Sequence, residues 1–161
     1  MQCTGLSGRI HPALSWVCST KDVEKIRVSL KMLAGDYLCS ANLARDRGQD
    51  PSCLLCKEFE EDLCHLLTTC RATASTRTRL LPDLLNIVAV FFPSNALLNM
   101  HSLVLLTQFI LDPTSLNLPN NMRIQPNAGS LYEVTSVCNN YCFAIHKERA
   151  RQLSQQGHIK K

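Results

Sequence analysis

The sequence predicts a mainly α-helical fold, and three observations support this fold class. Apolar residues recur at every third or fourth position, which is the spacing of one helix face. Capping residues, and the glycines or prolines that end helices, lie at the boundaries of these periodic segments. No segment shows the alternation of apolar and polar residues that is typical of a strand. With 161 residues, the chain is long enough for one compact domain and too short for two full-sized ones.

The first predicted helix runs from about Lys21 to Ala34. Ser19 or Thr20 can cap its N-terminus, and Gly35 lies where a glycine commonly ends a helix. Residues 45–52, which follow after a short interval, are predicted to form a loop. The apolar face of this first helix is predicted to comprise Val23, Ile26, Leu30 and Leu33.

Further helices are predicted through the middle of the chain. A short helix runs from about Glu61 to Thr69, a second stretch reaches Leu81, and Pro82 starts the next helix. Asn95 can cap another helix, which ends near Leu111. The two longest apolar stretches, residues 84–92 and 97–111, are both shorter than the roughly 20 residues of a membrane span. We therefore expect both to be buried helices.

The last predicted helix follows a connector rich in proline and asparagine, residues 112–129. Ser130 and Glu133 form a capping box at the start of this helix, and Gly157 lies beyond its end. One apolar face runs along the helix and is predicted to be buried. Its members are Leu131, Val134, Cys138, Tyr141, Ile145 and Leu153.

Composition and cysteine content place the chain among intracellular globular proteins. Hydrophobic residues make up 45% of the chain and charged residues 19%, which suits a folded domain rather than a disordered tail. The nine cysteines are an odd number, and the N-terminal residues MQCTGLSGRIHPALSW lack the basic region and the unbroken apolar region that are typical of a signal peptide. We therefore expect a reducing compartment, the nucleus or the cytoplasm, and not secretion. In such a compartment, clustered thiols indicate metal ligands more readily than disulfides.

One cluster has the spacing of a metal site, Cys53-x2-Cys56-x8-His65-x4-Cys70. A C-x2-C pair in a tight turn points both sulfurs inward, and a histidine and a cysteine on a helix supply a second ligand pair. Three thiolates and one imidazole form the closed, four-coordinate shell of structural zinc. The cluster predicts a zinc knuckle that holds one structural Zn²⁺. The alternative is that these cysteines are small buried apolar residues.

Cys64 is a fifth candidate ligand. It is about 100° from His65 around a helix, so the two side chains can hardly face the same ion. We expect His65 to be the ligand, although the assignment Cys64-x5-Cys70 stays open. Glu61 and Asp62 are placed to orient His65 through its free ring nitrogen, or they are solvated acids at the N-terminus of the helix.

The segment CLLCKEFEEDLCHLLTTC resembles the reverse transcriptase zinc-binding domain found near the C-terminus of non-LTR (LINE-type) retrotransposon polyproteins. The flanking segments KIRVSLKMLAGDYLCSANLAR and NNYCFAIHKERARQL are similar to the corresponding parts of such elements. The resemblance covers residues from about 25 to 153. It implies that the zinc ligands are Cys53, Cys56, His65 and Cys70. Cys64 departs from the family, which more often has a polar or acidic residue beside the histidine.

The resemblance implies a non-catalytic, nucleic-acid-binding tail of a retrotransposon reverse transcriptase, present here as a fragment or a derived protein. The family carries its polymerase aspartates in an upstream domain, and this chain contains no pair of adjacent aspartates. Its implied partners are RNA or DNA, contacted at phosphates, or the upstream polymerase domain or another protein. We expect no membrane partner. The alternatives are a zinc-stabilised protein-interaction module and a decayed element copy without function.

Two other groups of residues bear on function. Three arginines follow the last zinc ligand, Arg71, Arg77 and Arg79, and they either contact phosphates or form a solvated helix face. Cys138, Cys142 and His146 recur at four-residue steps on the last helix. Cys142 and His146 are close enough to share a metal. We expect instead that both cysteines pack in the core and that His146 marks its edge.

These interpretations divide the chain into four parts. Residues 1–20 form an N-terminal segment for which disorder is compatible with the sequence. Residues 21–92 hold the first helix and the zinc-binding region, and residues 93–157 hold the helical C-terminal region with its connector. Residues 158–161 form a tail.

Overall fold

The computed structural model describes residues 20–91, 103–113 and 128–157, and these residues are mainly helical, which confirms the predicted fold class. A π-helical turn, His65–Thr69, and a 3-10 turn, Arg71–Thr73, precede the third helix. The described ranges contain five α-helices, α1 Thr20–Ala34, α2 Ser40–Arg47, α3 Ala74–Phe91, α4 Leu103–Leu111 and α5 Ala128–Gln155. Their β-pairing is limited to one isolated antiparallel bridge between Ser52 and Glu60.

The long helix α5 organises the core. It packs against α1, α3 and α4, and it also contacts both helical turns that precede α3. Its buried face matches the predicted one at Val134, Cys138, Tyr141, Ile145 and Leu153. These side chains join a single hydrophobic cluster that includes Met32 and Leu84 on the two flanking helices. The C-terminal helix and the region that holds the cysteine-histidine cluster therefore share one core.

Two predicted helix ends agree with the structure and one differs. Gly35, with φ of 79°, follows the last residue of α1, and Gly157, with φ of 76°, lies just beyond α5. Both adopt the left-handed conformation that glycine tolerates at a helix C-terminus. The predicted start of the last helix is wrong, because α5 begins at Ala128 and Ser130 lies inside its first turn.

The buried face of α1 differs from the predicted one. Ile26 is buried as predicted, but Val23 is 47% exposed, and Ser29 and Met32 are buried instead. Helix α5 packs against the side of α1 that carries Ser29 and Met32, so the buried stripe is rotated from the most apolar positions. Tertiary packing, rather than the apolar pattern alone, decides which side of this helix is buried.

Pro82 does not begin a helix, as the sequence predicts, but lies inside α3. A proline in a helix interior removes one backbone donor and crowds the preceding turn, at a cost of about 3 kcal/mol. Leu84, two residues later, is completely buried, and Leu80 packs against the same core. The contact of α3 with α5 therefore holds the helix together across the proline.

Helix α2 was not predicted, and the predicted loop starts inside it. The helix ends at Arg47, and Gly48, with φ of 63°, terminates it.

The expectation that the two longest apolar stretches form buried helices is only partly right. Helix α4 buries Phe109 and Ile110, but Leu103 is 45% exposed and Val104 65% exposed.

Several predictions fall on residues outside the described ranges. They are the Asn95 cap, the side chain of Leu131, the N-terminal residues 1–19, the connector residues 114–127 and the tail 158–161. Among the helices that the structure describes, none has the length and the apolar character that a membrane span requires.

Candidate metal centre

The structure brings together the four residues of the predicted metal cluster. Cys53, Cys56, His65 and Cys70 are buried, and their ligand atoms all lie within 4.8 Å of one another. The Sγ atoms of Cys53 and Cys70 are 3.8 Å apart, and Cys56 Sγ lies 3.3 Å from His65 Nε2. In a tetrahedral site with zinc–sulfur bonds of about 2.3 Å, two sulfurs are separated by about 3.8 Å. The donor set and its spacing therefore fit a zinc ion.

The first ligand pair lies in a tight turn. The amide of Cys53 donates to the carbonyl of Phe59 at 2.7 Å, and the amide of Lys57 donates to the carbonyl of Cys53 at 2.9 Å. Lys57 adopts φ of 62°, a left-handed conformation that few residues other than glycine take up. The amides of Leu55 and Cys56 donate to the sulfur of Cys53. The backbone thus points both thiols inward and supplies donors for a thiolate.

The second ligand pair depends on a π-helical turn. A short α-helix from Glu61 to Thr69 was predicted, but the chain becomes helical at Leu63 and takes the π form from His65. In an α-helix, residues five apart differ by about 140° around the axis, so His65 and Cys70 would diverge. The amide of Cys70 instead donates to the carbonyl of His65 at 2.7 Å, the i to i+5 bond of a π-turn. This wider turn places both ligands on one side.

Thr69 fixes the ring of His65. Nδ1 of His65 lies 3.1 Å from Thr69 Oγ1, and the Thr69 hydroxyl donates to the carbonyl of His65 at 3.4 Å. The hydroxyl of Thr69 thus occupies the Nδ1 edge of the ring. Nε2 faces the sulfur of Cys56 at 3.3 Å, so it is the ring nitrogen placed to bind a metal.

The prediction that Glu61 and Asp62 orient the ring of His65 is wrong. The carboxylate of Asp62 accepts the backbone amide of His65 at 2.6 Å, which fixes the start of the helical segment. Glu61 is fully buried and interacts with other elements, so it is not a solvated acid. Thr69, four residues after the histidine, takes the orienting role.

Cys64 lies outside the four-residue group. Its side chain is half-buried, and its Sγ lies 3.8 Å from the hydroxyl oxygen of Thr68. The rotation between adjacent helical residues turns it away from the position that His65 occupies. The structure therefore favours the quartet with His65 over the alternative in which Cys64 is the third ligand.

The thiols of Cys53 and Cys70 lie within hydrogen-bonding distance of each other. Their hydrogen bond, reinforced by burial, raises the pKa of Cys53 well above its usual range. The same hydrogen bond lowers the pKa of Cys70, and the amides of Ala72 and Thr73 stabilise its thiolate further. A divalent ion bound at this position would displace the thiol protons and hold both sulfurs as thiolates.

Glu61 has a structural role that the sequence did not predict. Its carboxylate accepts Nε of Arg149 at 2.6 Å, the amide of Leu54 at 2.9 Å and the hydroxyl of Ser40 at 3.3 Å. These bonds connect the cysteine turn to α2 and α5. Arg149 lies 88 positions away from Glu61 in the chain, so the sequence shows that the two charges are opposite but not that the side chains meet.

We call residues 53–73, which hold the four candidate ligands, the metal region. Helix α5 contacts it through three polar side chains, Tyr141, Arg149 and Gln152, which we call the α5 clamp. Tyr141 donates its hydroxyl to the carbonyl of Leu67 at 2.7 Å, and Gln152 donates its amide to the carbonyl of Ala72 at 2.7 Å. Burial raises the pKa of Tyr141 to about 12, so its hydroxyl stays a donor at neutral pH. The clamp satisfies carbonyls that the two short helical turns leave unpaired.

The three predicted phosphate-contacting arginines have different surroundings. Arg71 is exposed and forms an ion pair with Glu58 at 2.8 Å. Arg77 donates to the carbonyl of Cys70 at 3.0 Å and to the hydroxyl of Thr73 at 3.3 Å, so it supports the last ligand. Arg79 is exposed on α3. Of the three, Arg79 alone makes neither an ion pair nor a hydrogen bond among the described residues.

Cys138, Cys142 and His146 pack as the simpler interpretation predicts. Both cysteines are buried in the core, and burial raises the pKa of Cys142 to about 12. His146 is half-buried at the edge of the core, and its Nδ1 lies 3.0 Å from the hydroxyl of Tyr37. Within the described ranges, the metal-ligating side chains that meet closely are those of the Cys53 to Cys70 quartet.

Comparisons with protein-family models, with curated proteins and with solved structures found no match for this chain. The chemistry of the site therefore has to be inferred from its own residues, and the retrotransposon family remains an expectation that comes from the sequence.

Proposed function

We propose that this chain is a non-catalytic zinc-binding domain in which Cys53, Cys56, His65 and Cys70 hold one structural Zn²⁺. One observation carries the proposal, namely that four protein ligands are buried together at tetrahedral spacing. Catalytic zinc sites keep one position open for water or substrate, whereas a complete quartet of protein ligands closes the coordination shell. The ion therefore acts by holding the fold together.

The donor chemistry favours zinc over other metals. Three thiolates exclude the hard cations Mg²⁺ and Ca²⁺, which prefer oxygen ligands. A shell of four thiolates would suit an iron–sulfur centre as well, but the imidazole of His65, fixed by Thr69, makes a mixed shell that is typical of zinc.

A bound ion would stabilise the part of the chain that has the least regular structure. Between the end of α2 and Leu63, the described chain is irregular apart from the Ser52–Glu60 bridge. A zinc ion links this loop to the π-turn and to Cys70. Because the ligands converge only in the folded chain, the free energy of zinc binding contributes directly to folding.

We infer further that the domain binds nucleic acid through phosphates, as the zinc-binding tail of a retrotransposon reverse transcriptase. The resemblance of residues 53–70 and their flanks to that family supports this inference. Such binding is electrostatic, so its affinity falls as salt rises, by an amount set by the number of phosphates contacted.

A second candidate function is a protein-interaction module. Three large apolar side chains are exposed on α3 and α4: Leu85, Leu103 and Val104. Side chains of this kind are available to contact an apolar surface of a protein partner. This candidate predicts that purified protein shows no affinity for RNA or DNA even at low salt.

Metal content tests the central proposal. Purified protein, analysed by plasma mass spectrometry after dialysis, should contain one zinc per chain. The variant with Cys53→Ser and Cys56→Ser should lose the ion, because two of the four ligands are removed. Cys64→Ser is the matched control and should keep the full stoichiometry, because this thiol lies outside the quartet. A wild-type chain that folds without metal would refute the zinc centre.

A further inference from the structure

The charges of the described chain are distributed unevenly between the segment that holds the cysteine turn and helix α1. Residues 45–62, from the last turn of α2 to the residue before the short helical segment, contain six acidic and three basic residues. Of these acids, Glu58, Glu60 and Asp62 are exposed around the cysteine turn. Helix α1 contains four basic and two acidic residues. Helix α1 thus carries an excess of positive charge and residues 45–62 an excess of negative charge, so a polyanion is better accommodated near α1.

A groove of about 750 Å³ lies between α1 and α5. We call it the α1–α5 groove, and we define it by Arg27, Lys31, Tyr37, Phe143, His146 and Lys147. Its volume is within the range of pockets that bind ligands in proteins. Five basic side chains line the groove, against the two acidic side chains of Glu24 and Asp36. The groove is thus a concave surface with an excess of positive charge.

Three of the lining cations are available to a ligand. Arg27, Lys31 and Lys147 are exposed, and none of them forms an ion pair with another described residue. Arg27 and Lys31 are four positions apart on α1, so they lie on the same face of that helix. The other two lining arginines are occupied, because Arg149 pairs with Glu61 and Arg151 pairs with Glu148.

Flat aromatic rings lie beside these cations. Phe143 is half-buried, and Nζ of Lys147 is 5.6 Å from the centre of its ring. The ring of His146 stacks against Phe143, with ring centres 6.4 Å apart and an angle of 28° between the planes. The hydroxyl of Tyr37 holds His146 in place from the α1 side. Cations that follow a groove, together with aromatic faces, are the combination by which proteins bind single-stranded nucleic acids.

We propose, on the basis of the nucleic-acid-binding function above, that the α1–α5 groove binds a single-stranded RNA or DNA segment. Arg27, Lys31 and Lys147 contact its phosphates, and Phe143 stacks on a base. The site is distinct from the Arg71, Arg77 and Arg79 set predicted from sequence. In that set, Arg77 supports Cys70 and Arg71 is neutralised by Glu58.

Fluorescence anisotropy with zinc-loaded full-length protein tests this assignment. The probes are labelled 12-nucleotide oligo(U) RNA and oligo(dT) DNA, a 12-base-pair DNA duplex, and a 12-residue poly-glutamate peptide. The groove variant is Arg27→Ala, Lys31→Ala and Lys147→Ala. Its matched control, Arg47→Ala, Arg71→Ala and Arg79→Ala, removes the same charge from exposed positions on α2, the 3-10 turn and α3. The zinc content of each variant shows that it has folded.

We expect the groove variant to lose at least tenfold in affinity for both oligonucleotides at low salt, and the control less than threefold. The slope of log affinity against log salt should fall by about 2 in the groove variant, since each phosphate contact on a single strand contributes about 0.7. Phe143→Leu should weaken binding about tenfold at unchanged salt slope, because stacking contributes no charge.

Different failures have different meanings. Equal losses in the groove and control variants would overturn the groove assignment and leave the nucleic-acid-binding function in place. Tighter binding of the duplex than of the single strands would overturn the single-strand assignment. Poly-glutamate binding as tight as that of the oligonucleotides, with the same dependence on the groove residues, would assign the groove to an acidic protein segment. No binding of any nucleic acid by the wild type would refute the proposed function itself.

Discussion

The metal region and the α1–α5 groove use the same kinds of side chain in opposite ways. In the metal region, Glu61 is completely buried and its charge is balanced by Arg149, which α5 provides. In the groove, Arg27 and Lys31 are exposed and have no ionic partner among the described residues. A buried and paired charge is costly to leave without its partner, whereas exposed and unpaired charges remain available to a ligand. The comparison supports our proposals that an ion at the quartet stabilises the domain and that the groove is its binding surface.

Removing the metal should have the largest effect on the folded state. Zinc contributes on the order of 10–16 kcal/mol to the folding of small zinc domains. We therefore expect a strong chelator, or Cys70→Ser, to abolish the cooperative thermal transition that circular dichroism detects in zinc-loaded protein. Cys64→Ser should unfold at nearly the temperature of the wild type. An unchanged transition in the chelated protein would show that the metal region does not depend on an ion.

Breaking the buried ion pair should have the next largest effect. In Glu61→Ala, the largely buried Arg149 loses the carboxylate that pairs with it. The variant also removes the acceptor for the amide of Leu54. Loss of one partner of a buried pair costs about 3–5 kcal/mol. Urea unfolding of the zinc-loaded protein measures this loss.

Glu58→Ala is the matched control for that pair, since Glu58 pairs with the exposed Arg71. Exposed pairs contribute at most about 1 kcal/mol, so this control should change the free energy of unfolding by no more than that. Similar losses in the two variants would contradict the distinction between the buried and the exposed carboxylate.

Removing one hydroxyl from the α5 clamp should have a smaller effect. Tyr141→Phe keeps the buried ring but leaves the carbonyl of Leu67 without its donor. An unsatisfied buried acceptor costs about 1–3 kcal/mol. The variant should lose this amount of stability in urea while retaining one zinc per chain. Loss of zinc at unchanged stability would mean that the clamp acts on the metal alone.

The smallest effect on stability is expected in the groove. Lys147→Ala removes an exposed charge that has no ionic partner in the described part of the chain and whose main contact is the ring of Phe143, so the free energy of unfolding should change by less than about 1 kcal/mol. Urea unfolding and nucleic-acid affinity should therefore respond independently at this position. A loss of several kcal/mol would show that the groove is a structural element.

The sequence predicts the quartet of candidate ligands because few residue types bind metals at fixed spacing. The separation of Cys53 from Cys56 and of His65 from Cys70 indicated the quartet, and the geometry of adjacent helical residues separated Cys64 from it. The helix ends at Gly35 and Gly157 could also be predicted, since glycine adopts the left-handed conformation that ends a helix more readily than other residues do.

Other features depend on contacts between distant residues, and the sequence could not show them. The burial of Glu61 requires Arg149 from another helix, and the continuity of α3 through Pro82 requires packing against α5. The π-turn at His65 replaces the predicted α-helix because it lets two ligands converge, a requirement that no helix propensity expresses.

X-ray absorption spectroscopy at the zinc edge tests the central claim most directly. The account predicts three sulfurs at about 2.3 Å and one nitrogen at about 2.0–2.1 Å around a single zinc, with the nitrogen lost in His65→Ala. Four sulfurs in the wild type would mean that Cys64 replaces the histidine. A shell containing water oxygen, or protein that folds without zinc, would contradict the closed structural site.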